Sequence, residues 1–290
     1  MATFQFIDGL AAVADRFQGF IIDQWGVLHN GTAPYPGVLE TLAELQRRNK
    51  RMVLLSNSGM RTRFNREQLR EMGFNPGMFA GIVTSGEASW LALRDKTLPG
   101  FDTLGRKAFL ITREGNREII EDLDLEIVSG VEAADFVMLA GTDPPPATFE
   151  DYLPVLEAAL QRDLPVVCSN PDVVAATIHG NTMAPGMLAE KYKEMGGTAH
   201  YVGKPHRPIY DACLAALEGL ERTDIIAIGD SLAHDIKGAQ TIGLTSVFVT
   251  EGIHKEELAD ASPAALTQTI AELATQHGAW PDYVLPSLSW

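Results

Sequence analysis

The chain has 290 residues, 46% hydrophobic and 21% charged, the balance of an ordinary soluble globular protein with room for one large or two medium domains. Its 38 Asp and Glu outnumber 23 Lys and Arg, and the net charge of −15 argues against nucleic acid and anionic membrane as partners. It does not argue against a small anionic substrate, because a local cation or metal can invert the field within one site.

No apolar run approaches the roughly 20 residues that span a bilayer. The N-terminal Met-Ala-Thr-Phe-Gln-Phe-Ile-Asp has no basic region ahead of an apolar stretch, so no secretory signal is expected. The two cysteines, Cys168 and Cys213, are too few for a disulfide framework and lack metal-ligand spacing. Each reads as a small buried residue, and the expected compartment is a reducing cytoplasm.

Strand and helix signals alternate along the chain. Gly19-Phe20-Ile21-Ile22-Asp23 reads as a buried strand that delivers one carboxylate into the loop Gln24-Trp25-Gly26-Val27-Leu28. Pro36-Gly37 then opens a helix over 38–49, with Val38, Leu39, Leu42 and Leu45 on one face. Arg51–Leu55 is a second strand, ending at Ser56-Asn57-Ser58, and a helix over 61–72 closes at Gly73. Ile82-Val83 leads through Thr84-Ser85-Gly86 into a helix that runs to Asp95. This βαβα order predicts a parallel sheet covered by helices.

The middle of the chain repeats the alternation. Strands are expected at 108–111 and 136–140, a helix at 149–162 after Pro144-Pro145-Pro146, and a strand at 165–168 that ends in Ser169-Asn170-Pro171-Asp172. A helix at 187–195 and a short strand at 200–202 precede Gly203-Lys204-Pro205. A helix at 208–219 leads to the strand Ile225–Gly229 and to Asp230, with Ser231 next and Asp235 five residues on. A helix ends over 238–243, 245–249 is a final strand, and the part after 255 reads as one surface helix and a tail. The two strands that end in acids lie at opposite ends of the chain. The roughly 100 residues between them carry enough signal to fold as an inserted unit.

Acids carried on two such strands converge over one edge of a parallel sheet, where ligands gather. Carboxylates placed together are costly without a cation, and the simplest compensation is Mg²⁺. Four clusters then supply a phosphoryl-transfer site: Asp23, Ser56-Asn57, Lys204, and Asp230 with Asp235. Asp23 can attack phosphorus to form an aspartyl-phosphate, and Mg²⁺ held by Asp23 and Asp230 neutralises developing charge. The Ser56 hydroxyl and nearby amides can bind phosphoryl oxygens. Lys204 offsets the carboxylates and contacts phosphate, and Asp235 binds the metal or orients water. Each cluster alone has a plainer reading, as a helix cap, a turn or a solvated lysine.

Taken in order, these residues make the chain resemble a haloacid-dehalogenase-superfamily phosphatase of class IIA, the group of nitrophenylphosphatase-like, phosphoglycolate and pyridoxal-phosphate phosphatases. The first motif falls on Asp23–Leu28 and the second on Ser56-Asn57-Ser58, where the family usually has Thr/Ser-Asn-Asn. The third falls on Gly203-Lys204-Pro205 and the fourth on Gly229-Asp230-Ser231 through Asp235. Asn170-Pro171-Asp172 matches a cap motif of the class. The resemblance implies an α/β fold: a three-layer Rossmann-like core (1–83 and 183–290) with an inserted α/β cap domain of the C2 type (84–182). It also implies Mg²⁺ dependence, with the backbone carbonyl of Trp25 joining Asp23, Asp230 and Asp235 around the metal. Ser56 and Lys204 would serve catalysis, and Asn57, Ser58, Asn170 and Asp172 would contact the substrate, a small phosphorylated metabolite such as a sugar phosphate. Arg113 and His179 are further candidate contacts. The sequence leaves oligomeric state open, although caps of this family often mediate homodimers.

One departure stands out. Where the family has a second Asp, acting as general acid and base, this chain has Trp25, which transfers no protons. That help is typically worth roughly 10²–10⁴-fold. The enzyme is then slow or prefers leaving groups that need little protonation, or another group such as His29 substitutes, or the protein binds phosphorylated ligands without turnover. Dehalogenases of the superfamily also lack that Asp, but the presence of Asp230 and Asp235 favours metal and phosphate.

Overall fold

The computed structural model of the chain describes residues 4–145, 147–177, 180–258 and 263–290. Its strands in chain order are β1 (Gln5–Phe6), β2 (Gly19–Asp23), β3 (Arg51–Ser56), β4 (Gly81–Thr84), β5 (Lys107–Ile111), β6 (Glu126–Ile127), β7 (Phe136–Leu139), β8 (Val166–Cys168), β9 (Val174–Thr177), β10 (Gly180–Met183), β11 (Ala199–Tyr201), β12 (Ile225–Gly229), β13 (Thr245–Val249) and β14 (Tyr283–Leu285). They form a seven-stranded sheet ordered β1-β14-β13-β12-β2-β3-β4, a five-stranded sheet ordered β11-β8-β7-β5-β6, and the antiparallel pair β9-β10. The expected α/β class with parallel sheets is what the chain adopts. No helix among the described residues is long and apolar enough to cross a membrane.

The chain divides into two compact units, one of Met1–Ser56, Arg66–Val83 and Tyr210–Trp290, the other of Asn57–Asn65 and Thr84–Ile209. In the first unit β2 is buried at all five positions, the run expected of a parallel strand covered on both faces. Phe20 and Ile22 pack with Val38, Leu42 and Leu45 of the helix Val38–Arg47. On a second apolar cluster, Phe248 of β13 and Val284 of β14 meet Ile270 of the helix Pro263–His277. β2 is flanked by β3 and β12, both parallel to it, with Leu55 opposite Asp23 and Ile228 opposite Ile22. Successive strands run outward from β2 in one direction and from β12 in the other. The boundary between these two strands is therefore the switch point at which a doubly wound sheet opens a crevice beyond its carboxyl edge.

The part after residue 255 departs from the expected surface helix and tail. A short helix, Lys255–Leu258, precedes Pro263–His277, and the terminal stretch supplies β14, a buried strand parallel to both β13 and β1. Three apolar residues are too few for periodicity to separate a strand from a loop. What makes β14 a strand is its neighbours, about 280 and 40 residues away along the chain.

In the second unit the four neighbouring pairs of the five-stranded sheet are all parallel. β7 shows why its sequence is apolar at every position. Val137 and Leu139 pack with Leu156 of the helix Phe149–Gln161 and Leu188 of the helix Pro185–Glu194. Phe136 and Met138 turn the other way, into a cluster with Ala92 of the helix Ser85–Asp95. Residues 84–182 lie within this unit, which also takes in Asn57–Asn65 and continues to Ile209. Its continuation follows from β11, whose Ala199–Tyr201 backbone pairs in parallel with Val166–Cys168 of β8.

Leu285 is fully buried in β14. Leu285→Ala should cost about 2–5 kcal/mol, read as a lower urea midpoint. An unchanged midpoint would show that β14 adds nothing to the core.

Candidate active site

Asp23 is the last residue of β2, Asp230 follows the last residue of β12, and Asp235 lies on the wide helical turn Leu232–Ile236 just beyond. The three side chains are buried, and each offers a carboxylate oxygen within 4.8 Å of the others. Backbone N–H groups hold two of them in place. Ile253 donates to Asp230 Oδ2 at 2.7 Å and Ser231 to Asp235 Oδ2 at 3.2 Å. Glycines make the room. A Cβ on Gly26 or on Gly252 would lie 2.0 Å from Asp230 Oδ2, and one on Gly229 would lie 2.1 Å from Asp235 Cγ. Gly26 also has φ +85°, a conformation that side chains oppose.

Buried carboxylates this close repel unless positive charge accompanies them. Three hard oxygen donors, without nitrogen or sulfur, suit Mg²⁺ or Ca²⁺. The donor set therefore fits the divalent cation that the sequence implies.

The Asp23 loop is braced by aromatic rings. The Trp25 ring sits edge-on to His29, with centroids 6.0 Å apart, and Gly31 packs against its six-membered ring so closely that a Cβ there would approach Cζ3 to 2.0 Å. The Trp25 side chain is thus held by packing. His29 Nδ1 accepts from the Gly31 N–H at 3.1 Å, so the neutral ring carries its proton on Nε2. Nε2 is buried without a hydrogen-bond partner among the described residues. Burial pushes the His29 pKa down to about 4. Tyr35 carries no local signal in the sequence, yet it belongs to this neighbourhood. Burial first, then the negative charges of Asp230 and Glu251, raise its hydroxyl above the ordinary tyrosine range.

Apart from Ser56, the remaining described candidates lie in the second unit. Asn57 Nδ2 donates to Asp172 Oδ1 at 2.7 Å and to the Lys204 carbonyl at 3.2 Å, while Asn57 Oδ1 accepts from the Lys204 N–H at 2.6 Å. Asn170 Oδ1 accepts from the Asp172 N–H at 3.0 Å. A Cβ on Gly203 would lie 2.4 Å from Pro171 Cδ and 2.6 Å from Asn57 Oδ1. The Gly-Lys-Pro loop is thereby seated on Asn57 and on the Asn-Pro-Asp segment, with Lys204 buried. Ser58 and Asn170 line a cavity of about 450 Å³, and Arg113 lines it too. His179 lies outside the described residues.

The candidates are accordingly shared between the units. Asp23, Trp25, Ser56, Asp230 and Asp235 belong to the first, and Asn57, Ser58, Asn170, Asp172 and Lys204 to the second. Ser56 ends β3, the neighbour of β2, and the next residue, Asn57, opens the second unit. Gly26 and Gly229 of this cradle stand in the motifs of the sequence, whereas Gly252 and the Ile253 N–H lie outside them, three and four residues past β13 at the same sheet edge as the acids.

The chain belongs to the haloacid-dehalogenase-like hydrolases. Residues 20–126 match the haloacid dehalogenase-like hydrolase family, and residues 201–289 match a second family described as HAD-hydrolase-like. Among particular relatives, it is 27% identical over 261 residues to glycerol-3-phosphate phosphatase of Rattus norvegicus, covering 82% of this chain and 80% of that one. A solved haloacid dehalogenase-like hydrolase from Brucella suis 1330 is 29% identical with a TM-score of 0.80, covering 98% of this chain and 100% of its own. The p-nitrophenyl phosphatase from Archaeoglobus fulgidus is 27% identical with a TM-score of 0.71, covering 93% and 96%.

His29 gives this loop a pH signature. The unfolded chain protonates near the ordinary histidine value of 6.5, the folded chain only near 4. Stability is therefore full above pH 6.5 and falls as pH drops toward 4, by up to about 3 kcal/mol. In His29→Asn, urea midpoints measured between pH 7 and pH 4.5 should lose much of that slope. A slope equal to that of the unaltered protein would assign the effect to other groups.

Proposed function

We propose that this chain is a Mg²⁺-dependent phosphatase that hydrolyses small phosphorylated metabolites, sugar phosphates or similar phosphomonoesters, through an aspartyl-phosphate on Asp23. The observation that carries the reading is the convergence of Asp23, Asp230 and Asp235 at the switch point of a parallel sheet. Relatives named as phosphatases support the reaction class. They lend nothing to the alternative of a protein that only binds phosphorylated ligands.

A carboxylate oxygen of Asp23 attacks phosphorus as the bond to the leaving oxygen breaks, and the phosphoryl group passes to Asp23. Water then attacks the aspartyl-phosphate, releasing inorganic phosphate and restoring the carboxylate. Mg²⁺ held by Asp23, Asp230, Asp235 and the backbone carbonyl of Trp25 would neutralise charge on the phosphoryl oxygens. The Ser56 hydroxyl donates a hydrogen bond to a phosphoryl oxygen, and Lys204 adds positive charge. Asn57, fastened to Asp172 and to the Lys204 backbone, fixes the loop that carries Lys204. Ser58 and Asn170 meet the remainder of the substrate. A cytoplasmic setting, and pairing through the second unit as a homodimer, complete the proposal.

Trp25 supplies no proton to the leaving oxygen. Leaving groups that depart without one, phenols and acyl phosphates, should therefore be turned over fastest.

Asp23→Asn should lower kcat for p-nitrophenyl phosphate or acetyl phosphate by roughly 10³-fold or more. Retained turnover would remove the covalent route. Trp25→Asp should raise kcat toward poor leaving groups, within the roughly 10²–10⁴-fold that acid–base help provides. No gain would place the limiting step elsewhere.

A further inference from the structure

The cavity of the second unit has a charge pattern that bears on which phosphomonoester enters. Three of its lining residues are charged, Glu114, Glu118 and Arg113, so carboxylates outnumber cations two to one. Arg113 turns its Nε onto the Thr142 carbonyl at 3.3 Å. Neither glutamate forms an ion pair among the described residues. Neutral hydrogen-bonding groups, among them Ser58, Asn116 and Asn170, supply much of the rest of the polar lining.

The charged rim is held in place. A Cβ on Gly141 would lie 2.7 Å from the Arg113 backbone nitrogen, so only glycine lets that segment approach. The Glu114 N–H donates to Asp143 Oδ1 at 2.6 Å, which keeps Glu114 at φ 51° and adds a further carboxylate nearby. Ser58 and Asn170, which line the cavity, lie one residue from Asn57 and two from Asp172, and Asn57 binds both Asp172 and the Lys204 backbone.

We propose that this cavity receives the leaving-group half of the substrate, and that Glu114 and Glu118 select an uncharged, hydroxyl-bearing leaving group over one with a second carboxylate or phosphate. The proposal rests on the phosphomonoester reading above. Glutamates accept hydrogen bonds from hydroxyls and repel a second anion, and like charges across a binding surface reject the wrong partner. Because both side chains are at least partly solvated, the discrimination is modest, roughly three- to tenfold.

The test uses two ligands of one carbon skeleton, sn-glycerol 3-phosphate and 3-phosphoglycerate, which differ by a hydroxymethyl group against a carboxylate. Their binding to the full chain in Mg²⁺ is measured by calorimetry, at low and at high ionic strength. Glycerol 3-phosphate should bind roughly three- to tenfold more tightly, with the gap narrowing at high salt. In the double variant Glu114→Gln, Glu118→Gln, 3-phosphoglycerate should bind more tightly and the ratio should approach one. Equal or reversed preference in the unaltered protein, an unchanged ratio in the variant, or no binding of either ligand would overturn the proposal. Binding that discriminates as expected in a protein that turns over no phosphate ester would leave the selectivity standing and remove the phosphatase reading instead.

Discussion

Mutual repulsion among Asp23, Asp230 and Asp235 is the constraint around which the first unit is built. Three carboxylates within 4.8 Å and out of solvent are stable only with compensating charge, and the chain arranges everything else to keep them there. β2 and β12 pair in parallel with Ile22 opposite Ile228, so the acids at their ends arrive together. Gly26, Gly229 and Gly252 leave the space, and the Ser231 and Ile253 amides offer partial positive charge. Burial gives the site its electrostatic strength, since charge acts over longer range where water is excluded.

The second unit shows another way to hold a charged group. Lys204 is fixed through its backbone, which exchanges two hydrogen bonds with the Asn57 side chain, and its loop packs on Pro171 through Gly203. Asn57 also binds Asp172, so a side chain from near the start of the chain ties the Gly-Lys-Pro loop to the Asn-Pro-Asp segment. A lysine with a long flexible stem is precise only when its backbone is, and here three separate segments provide that precision.

Trp25 shapes the loop that follows Asp23 through its packing. Its indole is accommodated by Gly31, and His29 packs edge-on beside it, so the loop gains apolar contact at this position. His29 has the right residue type to carry a proton. However, burial keeps it neutral, and Gly31 occupies its Nδ1. The ring reads as a brace for the loop that carries Asp23.

The candidate residues stand out in the sequence because their signals are local. An apolar run ending in an acid, a Gly-Lys-Pro tripeptide and an Asn-Pro-Asp tripeptide each keep their meaning over a few residues, and their order along the chain identified the family. Alternation of strand and helix likewise established the parallel α/β class, since crossover connections require it. Only the tertiary structure decided what depends on distant neighbours. It made Tyr283–Leu285 a buried strand beside β13, carried the second unit through β11, set Gly252 and the Ile253 N–H against Asp230, and placed Glu114 and Glu118 in one cavity with Asn170. Such relations join residues tens to hundreds of positions apart. Pattern in a short window carries no information about which partner a short strand, a glycine or an exposed glutamate will meet.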